Sequence, residues 1–237
     1  DRLVKRLCSR HTGIGADGLF IISSSKKYDF ILDYYNADGS WETLCGNGSR
    51  CAIKFMDQDG HIKGRAKFKT GDGTHLAKIL SNGNVSMQMS PPKYVSKLIS
   101  IGDFKGYFIN SGAKHFVCES NSLDDKYVFV TGRKIRHAPE FQPRGINVNF
   151  YRLIDSNNVQ IKTYEKGVEQ VMLSCSSGSA AVVFHLGKNG LITSPVTTIS
   201  NGGNLCYTFD DDWEEFLSTG PAKFCFSGEF NLENDSC

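Results

Sequence analysis

The sequence predicts an α+β protein made of two look-alike β-rich halves, each carrying one helix headed by a cysteine. Three observations lead there. Residues 34–56 and 163–184 share one unusual arrangement: a strand ending in tyrosine, a Gly-containing turn, then a cysteine followed by a Gly/Ser run that opens an apolar helical segment. Cys175 follows Cys45 by 130 positions, one copy per half, which points to an internal duplication with a site shared between the copies. Around each copy the chain breaks into short strands punctuated by Asp-Gly, Asn-Gly and Gly-rich turns.

In chain order, Leu3, Val4, Leu7 and Cys8 have helical spacing, so residues 1–9 are expected to be helical. The Gly-rich passage from His11 to Gly18 has no strand before it and no helix after it, so it is read as a structural turn rather than a phosphate loop. Strands are expected at 19–23 and 29–35, a helix at 48–57 closed by Asp59-Gly60, and strands at 63–69, 75–80 and 84–90. Asn82-Gly83 is a strong hairpin signal. Pro91-Pro92 breaks the pattern and is taken as the boundary between lobes 1–91 and 92–222, with a last strand near 223–230. In the second lobe strands are expected at 105–110, 115–119 and 127–130, a short helix near 132–137, and strands at 145–154 and 158–164. A helix then runs from Cys175 to about 186, and strands follow at 191–200 and 204–209 across the Asn201-Gly202 turn.

Composition narrows the function classes. The 237 residues are 40% hydrophobic and 22% charged, with a formal net charge of +2 and the two signs interspersed. Nothing in this pattern suggests a basic nucleic-acid footprint or a membrane-surface patch. No apolar run approaches the roughly 18 residues of a membrane span. The charged first segment is not expected to be a signal peptide. Eight cysteines without a Cys-x-x-Cys pair, and six scattered histidines, argue against structural zinc. Reduced thiols in a cytoplasmic protein are the expectation.

A thiol at a helix N-terminus sits among unpaired backbone N–H groups and the positive end of the helix dipole. Such a thiol is expected to have a lowered pKa, and the same N–H groups can cradle a carboxylate.

The residues carry a resemblance as well. Cys8-Ser-Arg-His-Thr-Gly-Ile-Gly-Ala-Asp-Gly-Leu, Tyr35-Asn-Ala-Asp-Gly-Ser and Cys45-Gly-Asn-Gly-Ser-Arg-Cys resemble the first-half signatures of the diaminopimelate epimerases, cofactor-independent amino-acid epimerases. Gly145-Ile-Asn-Val-Asn-Phe, Tyr164-Glu-Lys-Gly-Val-Glu, Cys175-Ser-Ser-Gly and Gly220-Pro-Ala-Lys-Phe resemble those of the second half. The resemblance implies two pseudo-symmetric domains, each a β-barrel-like sheet around a central helix, with the active site in the interdomain cleft. It implies that a C-terminal strand at about 223–237 returns to complete the first lobe.

It also implies an isomerase that interconverts LL- and meso-2,6-diaminopimelate in lysine and cell-wall precursor synthesis without PLP or any other cofactor. Cys45 and Cys175 become the acid/base pair, and His115 with Glu165 tunes a thiol. Gly46, Asn47, Ser176 and Ser177 supply backbone donors; Asn36 and Asn147 hold the distal end of the substrate; Glu165 and Lys166 meet its charged groups. The implied partner is the amino-acid substrate, with no metal, nucleic acid or membrane, and a homodimer is the family expectation. The chain departs from the family pattern at Ser176-Ser177 (usually Gly-Thr), at Lys166 (usually arginine) and at Ala113, and it starts after the family's first strand. Lysine keeps the charge but not the bidentate fork. A related epimerase for another amino acid, or an inactive binding homologue, are the competing readings; the retained pair of cysteines argues against the last.

Overall fold

The duplication is legible strand by strand in the computed structural model, which describes residues 2–231. After helix α1 (Arg2–Cys8), the first half runs β1 (Gly18–Ser23), β2 (Phe30–Asn36), β3 (Trp41–Glu42), α2 (Gly46–Gln58), β4 (Arg65–Thr70), β5 (Gly73–Ile79) and β6 (Val85–Gln88). The connecting region holds β7 (Lys93–Tyr94), β8 (Ile99–Ile101), β9 (Phe104–Asn110), β10 (Lys114–Glu119) and α3 (Asp125–Arg136). The second half repeats the first: β11 (Asn147–Asp155), β12 (Asn158–Glu165), β13 (Gln170–Met172), α4 (Ser176–Lys188), β14 (Val196–Ser200), β15 (Gly203–Thr208) and β16 (Leu217–Gly220).

In both halves the first two strands form an antiparallel pair and the third, short strand adds to the second. The helix then crosses over so that the fourth strand runs parallel to the second. Antiparallel fifth and sixth strands follow. The halves join where β6 pairs antiparallel with its own counterpart β16, from Val85 opposite Gly220 to Gln88 opposite Leu217. Pairing of like with like puts the pseudo-dyad at this joint. One sheet therefore runs through the whole molecule, from β1 at one end to β7 at the other.

Each half wraps its sheet around its cysteine-headed helix. Helix α4 is buried along its whole length from Ser176 to Leu186, whereas α2 turns Ala52, Ile53 and Met56 inward and leaves Cys51 and Phe55 exposed. One apolar core spans both, from Ile53, Phe68 and Met87 to Val182, Val183 and Phe216. Each fully buried side chain of that size contributes about 1.5–3 kcal/mol. A second core lies under α3 and includes Phe116, Val128, Ile135 and Phe150.

Two expected strands are absent. Residues 127–130 are helical: Asp124 caps α3, its carboxylate accepting from the Lys126 and Tyr127 amides at 3.0 and 3.1 Å. The β-branched and aromatic run Tyr-Val-Phe-Val imitates a strand, but Val128, Thr131, Gly132 and Ile135 form the buried stripe of a helix. Residues 223–230 form no strand; the return to the first lobe is made earlier, by β16 against β6. The remainder of that expectation, 232–237, lies outside the described residues. Four two- or three-residue strands (β3, β7, β8 and β13) are too short to leave a periodicity in the sequence.

Candidate active site

Cys45 and Cys175 occupy the same backbone position in their two halves. Each is the residue before the first helical turn, with φ/ψ of −127°/103° for Cys45 and −131°/109° for Cys175. The carbonyl of each accepts the first intrahelical bond, from Ser49 N–H at 2.8 Å and Ser179 N–H at 2.9 Å. The two helix starts touch. A Cβ on Gly46 would stand 2.7 Å from Ser176 Oγ, so glycine at 46 is what permits the approach. Asn47 Nδ2 donates across the joint to the Ser174 carbonyl at 3.0 Å.

Both cysteines line one cavity of about 390 Å³ between the halves. Asn36, Gly46, Asn47, Asn147, Glu165, Lys166, Ser176 and Ser177 line it too. Of the residues expected from sequence, only His115 does not; it is fully buried behind Ser177. Asn36 does double duty, lining the cavity and donating to Ser40 Oγ at 3.0 Å within the turn. Asn147 spends its side chain on backbone, donating to the Lys114 carbonyl and accepting from the Lys166 amide at 2.9 Å. It therefore fixes the loop that carries Lys166.

The surroundings of the sulfurs overturn one expectation. Burial pushes the Cys45 thiol up to about 11, opposed by the Gly48 amide, raised further by Glu165, and opposed again by Arg50 and the Tyr34 hydroxyl. Burial also pushes the Cys175 thiol up, with Glu165 adding to the rise and the Gly178 amide and Ser177 hydroxyl opposing it. The helix-start N–H groups act in the expected direction, but removal of water outweighs them. Glu165, half-buried and desolvated beside Asp17 and Glu42, is raised to about 7.

A directional hydrogen-bond chain ends on Cys175. Thr163 Oγ1 donates to Asn149 Oδ1 at 2.9 Å, which leaves the Asn149 amide nitrogen to donate to the Phe116 carbonyl and to His115 Nδ1 at 2.9 Å. Burial holds the His115 imidazole neutral, its pKa lowered to about 3. With Nδ1 accepting, Nε2 carries the proton and donates to Ser177 Oγ at 3.0 Å. Ser177 Oγ lies 3.6 Å from Cys175 Sγ, so its hydroxyl proton is left for the sulfur.

Near Cys45 the structure has instead a buried cation. The Arg50 guanidinium donates to the Gly46 carbonyl, Asn47 Oδ1, Ser176 Oγ and the Pro221 carbonyl, all neutral partners. Its charge favours the Cys45 thiolate.

Among the cavity residues that sequence reasoning missed are Asp17, Tyr34, Glu42 and Met172. Asp17 hid in a passage read as a turn, and Glu42 and Met172 sit on the two shortest strands that flank the site. Tyr34 had a signal, the inward phase of β2, in which Phe30, Leu32, Tyr34 and Asn36 are all buried.

The family model "Diaminopimelate epimerase" matches residues 1–95. The chain is 36% identical over 238 residues to the diaminopimelate epimerase of Aquifex aeolicus (strain VF5), covering 97% of this chain and 85% of that protein. It is 37% identical to the diaminopimelate epimerase of Hydrogenobaculum sp. (strain Y04AAS1), covering 98% and 87%. Among solved structures, the fold is similar to that of a probable proline racemase from Agrobacterium radiobacter K84 (TM-score 0.74, 14% identity, covering 98% of this chain and 82% of that one). It is similar also to that of a hydroxyproline epimerase from Agrobacterium vitis (TM-score 0.70, 14% identity, covering 93% and 77%).

Proposed function

The chain belongs to the diaminopimelate epimerase family, and from that premise we propose that it interconverts LL- and meso-diaminopimelate by proton transfer between Cys45 and Cys175. The observation that carries the reading is the pair of cysteines, each heading the corresponding helix of its half, on one cavity. Inversion at an α-carbon needs a base on one face and an acid on the other, and a thiolate and a thiol that exchange roles serve both directions. The α-proton is far less acidic than a thiol, so the developing carbanion must be stabilised. In this reading the amides of the touching helix starts, Gly46-Asn47 and Ser176-Ser177, receive the α-carboxylate. In this reading Glu165, beside Cys175, receives the α-ammonium, and a bound ammonium would return its carboxyl to the ionised form.

In this reading the lobes divide at Pro91-Pro92, and the active form is a cytoplasmic homodimer. The reducing compartment is supported by the need of both thiols to stay reduced, the dimer by family membership.

The test is incubation of the protein with LL-diaminopimelate in deuterated water under reducing conditions. Deuterium at the α-carbon with formation of the meso isomer is expected. Exchange with a different amino acid only, or with none, overturns the assignment.

A further inference from the structure

Glu42 faces the cavity from β3 in the first half, and Lys166 faces it from the loop after β12 in the second. Lys166 Nζ and Glu42 Oε1 are 2.7 Å apart, an ion pair that spans the two halves on the wall of the same cavity as the thiols. Both side chains keep access to the cavity, at 29% and 27% exposure, so the pair adds little to stability. The backbone beneath Lys166 is fixed, its amide held by Asn147 Oδ1 and the Gly167 amide held by Glu169 Oε1 at 3.1 Å.

The other acids on this wall are spoken for. Asp17 is paired with Arg10, and Glu165 sits beside Cys175. A cation and an anion held side by side are the complement of an amino-acid head, whose carboxylate and ammonium can each take one partner without leaving a charge unpaired. We propose that Glu42 is a specificity-determining residue: it receives the ammonium at the far, unreacted end of the substrate, while Lys166 takes the carboxylate there. This rests on the reading of the site as a diaminopimelate epimerase. It explains how lysine serves without a bidentate fork: selection at this end comes from two opposite charges rather than from one doubly bonded carboxylate.

The experiment compares wild type with Glu42→Gln and Glu42→Asp in α-proton exchange, using LL-diaminopimelate and 2-aminopimelate. The second compound has the same chain and far carboxylate but hydrogen in place of the far ammonium. Wild type is expected to favour diaminopimelate by at least about tenfold in kcat/KM, on the scale of a charge left without its partner. Glu42→Gln is expected to raise KM for diaminopimelate about tenfold, with kcat falling less, and to leave 2-aminopimelate nearly unaffected, so that the preference disappears. Glu42→Asp should recover part of it. Equal losses for both compounds, no change, or a lower KM for diaminopimelate in Glu42→Gln each overturn the proposal, the last by making the ion pair a latch. Failure of wild type to exchange either compound overturns the reading of the whole site instead, so the two failures are distinct.

Discussion

The two halves present their cysteines on nearly identical backbone and surround them with different chemistry. In the first half, the glycine three residues after the cysteine, Gly48, packs on Phe20; a Cβ there would be 1.9 Å from the ring. Phe20 stacks on Tyr34 at 4.8 Å between centroids. In the second half the matching glycine, Gly178, packs on Asn149 Oδ1, which a Cβ would meet at 2.2 Å. Asn149 is held by Thr163. Phe20 and Asn149 stand 129 positions apart, as do Tyr34 and Thr163. An aromatic pair thus corresponds to a polar pair. The polar version exists because β11 has a further neighbour: β10 runs parallel to it and brings His115 alongside Asn147, whereas β1 lies at the end of the described sheet. Duplication preserved the helix starts, where backbone geometry holds the thiols, and let the supporting side chains diverge.

The hardest way to break this comparison is to remove one sulfur. If both act as obligatory proton carriers, Cys45→Ala and Cys175→Ala should each lower epimerisation by at least about 10³-fold, within the range for loss of a positioned acid or base. Turnover of LL- to meso-diaminopimelate measures it, and near-normal activity in either variant would falsify the two-base assignment.

Next in size is the contact between the helix starts. Gly46→Ala puts a methyl group 2.7 Å from Ser176 Oγ, and the helices must separate to admit it. Displacement of catalytic groups by about 1 Å costs on the order of 10²-fold, so a loss of kcat of that size is expected, with thermal unfolding much less affected. Retention of full kcat would show that the approach of the two helices is not what positions the thiols.

A smaller effect tests the polar half alone. Asn149→Leu leaves His115 Nδ1 and the Thr163 hydroxyl without the partner they share. Losing the hydrogen-bond chain behind Cys175 should cost about 1 kcal/mol of transition-state stabilisation, or about fivefold in kcat. Phe20→Leu, at the matching position, breaks no hydrogen bond and should leave the Cys175 reactivity profile where it was. Equal shifts in that profile from the two variants would remove the distinction between the halves.

How much of this was legible in the sequence follows from where each signal lies. The helix starts were, because Cys-x-x-Gly followed by an apolar run occurs twice with one spacing, and the strands were, because inward residues alternate as in β2. The ionisation of the thiols was not, since a helix-start motif reports the N–H groups but not the water removed by the opposite lobe. Glu42 was not, because its partner Lys166 lies in the other half and β3 is two residues long. The helix at 125–136 was misread because tertiary burial and the Asp124 cap override local β preference.

The finest distinction is the order in which the thiols ionise. Arg50, buried among neutral partners, stands at the position that Ala180 occupies in the second half, again 130 residues on. Its charge favours the Cys45 thiolate, and among the described residues no arginine or lysine stands among the main influences on Cys175. Both thiols are raised, so both are protonated at neutral pH in the free enzyme, and the thiolate fraction of each grows as pH rises. Cys45 should lead, approaching half-ionisation at about 11, and Cys175 should follow at higher pH. Site-resolved mass spectrometry of iodoacetamide labelling against pH gives the two profiles. Arg50→Met should move the Cys45 profile to higher pH and narrow the gap, while Arg50→Lys, which keeps the charge, should restore most of it. If Cys175 labels first in the wild type, or Arg50→Met moves both profiles equally, the cation is only a tie between helix α2 and the Pro221 segment, and the inequality of the thiols must come from elsewhere.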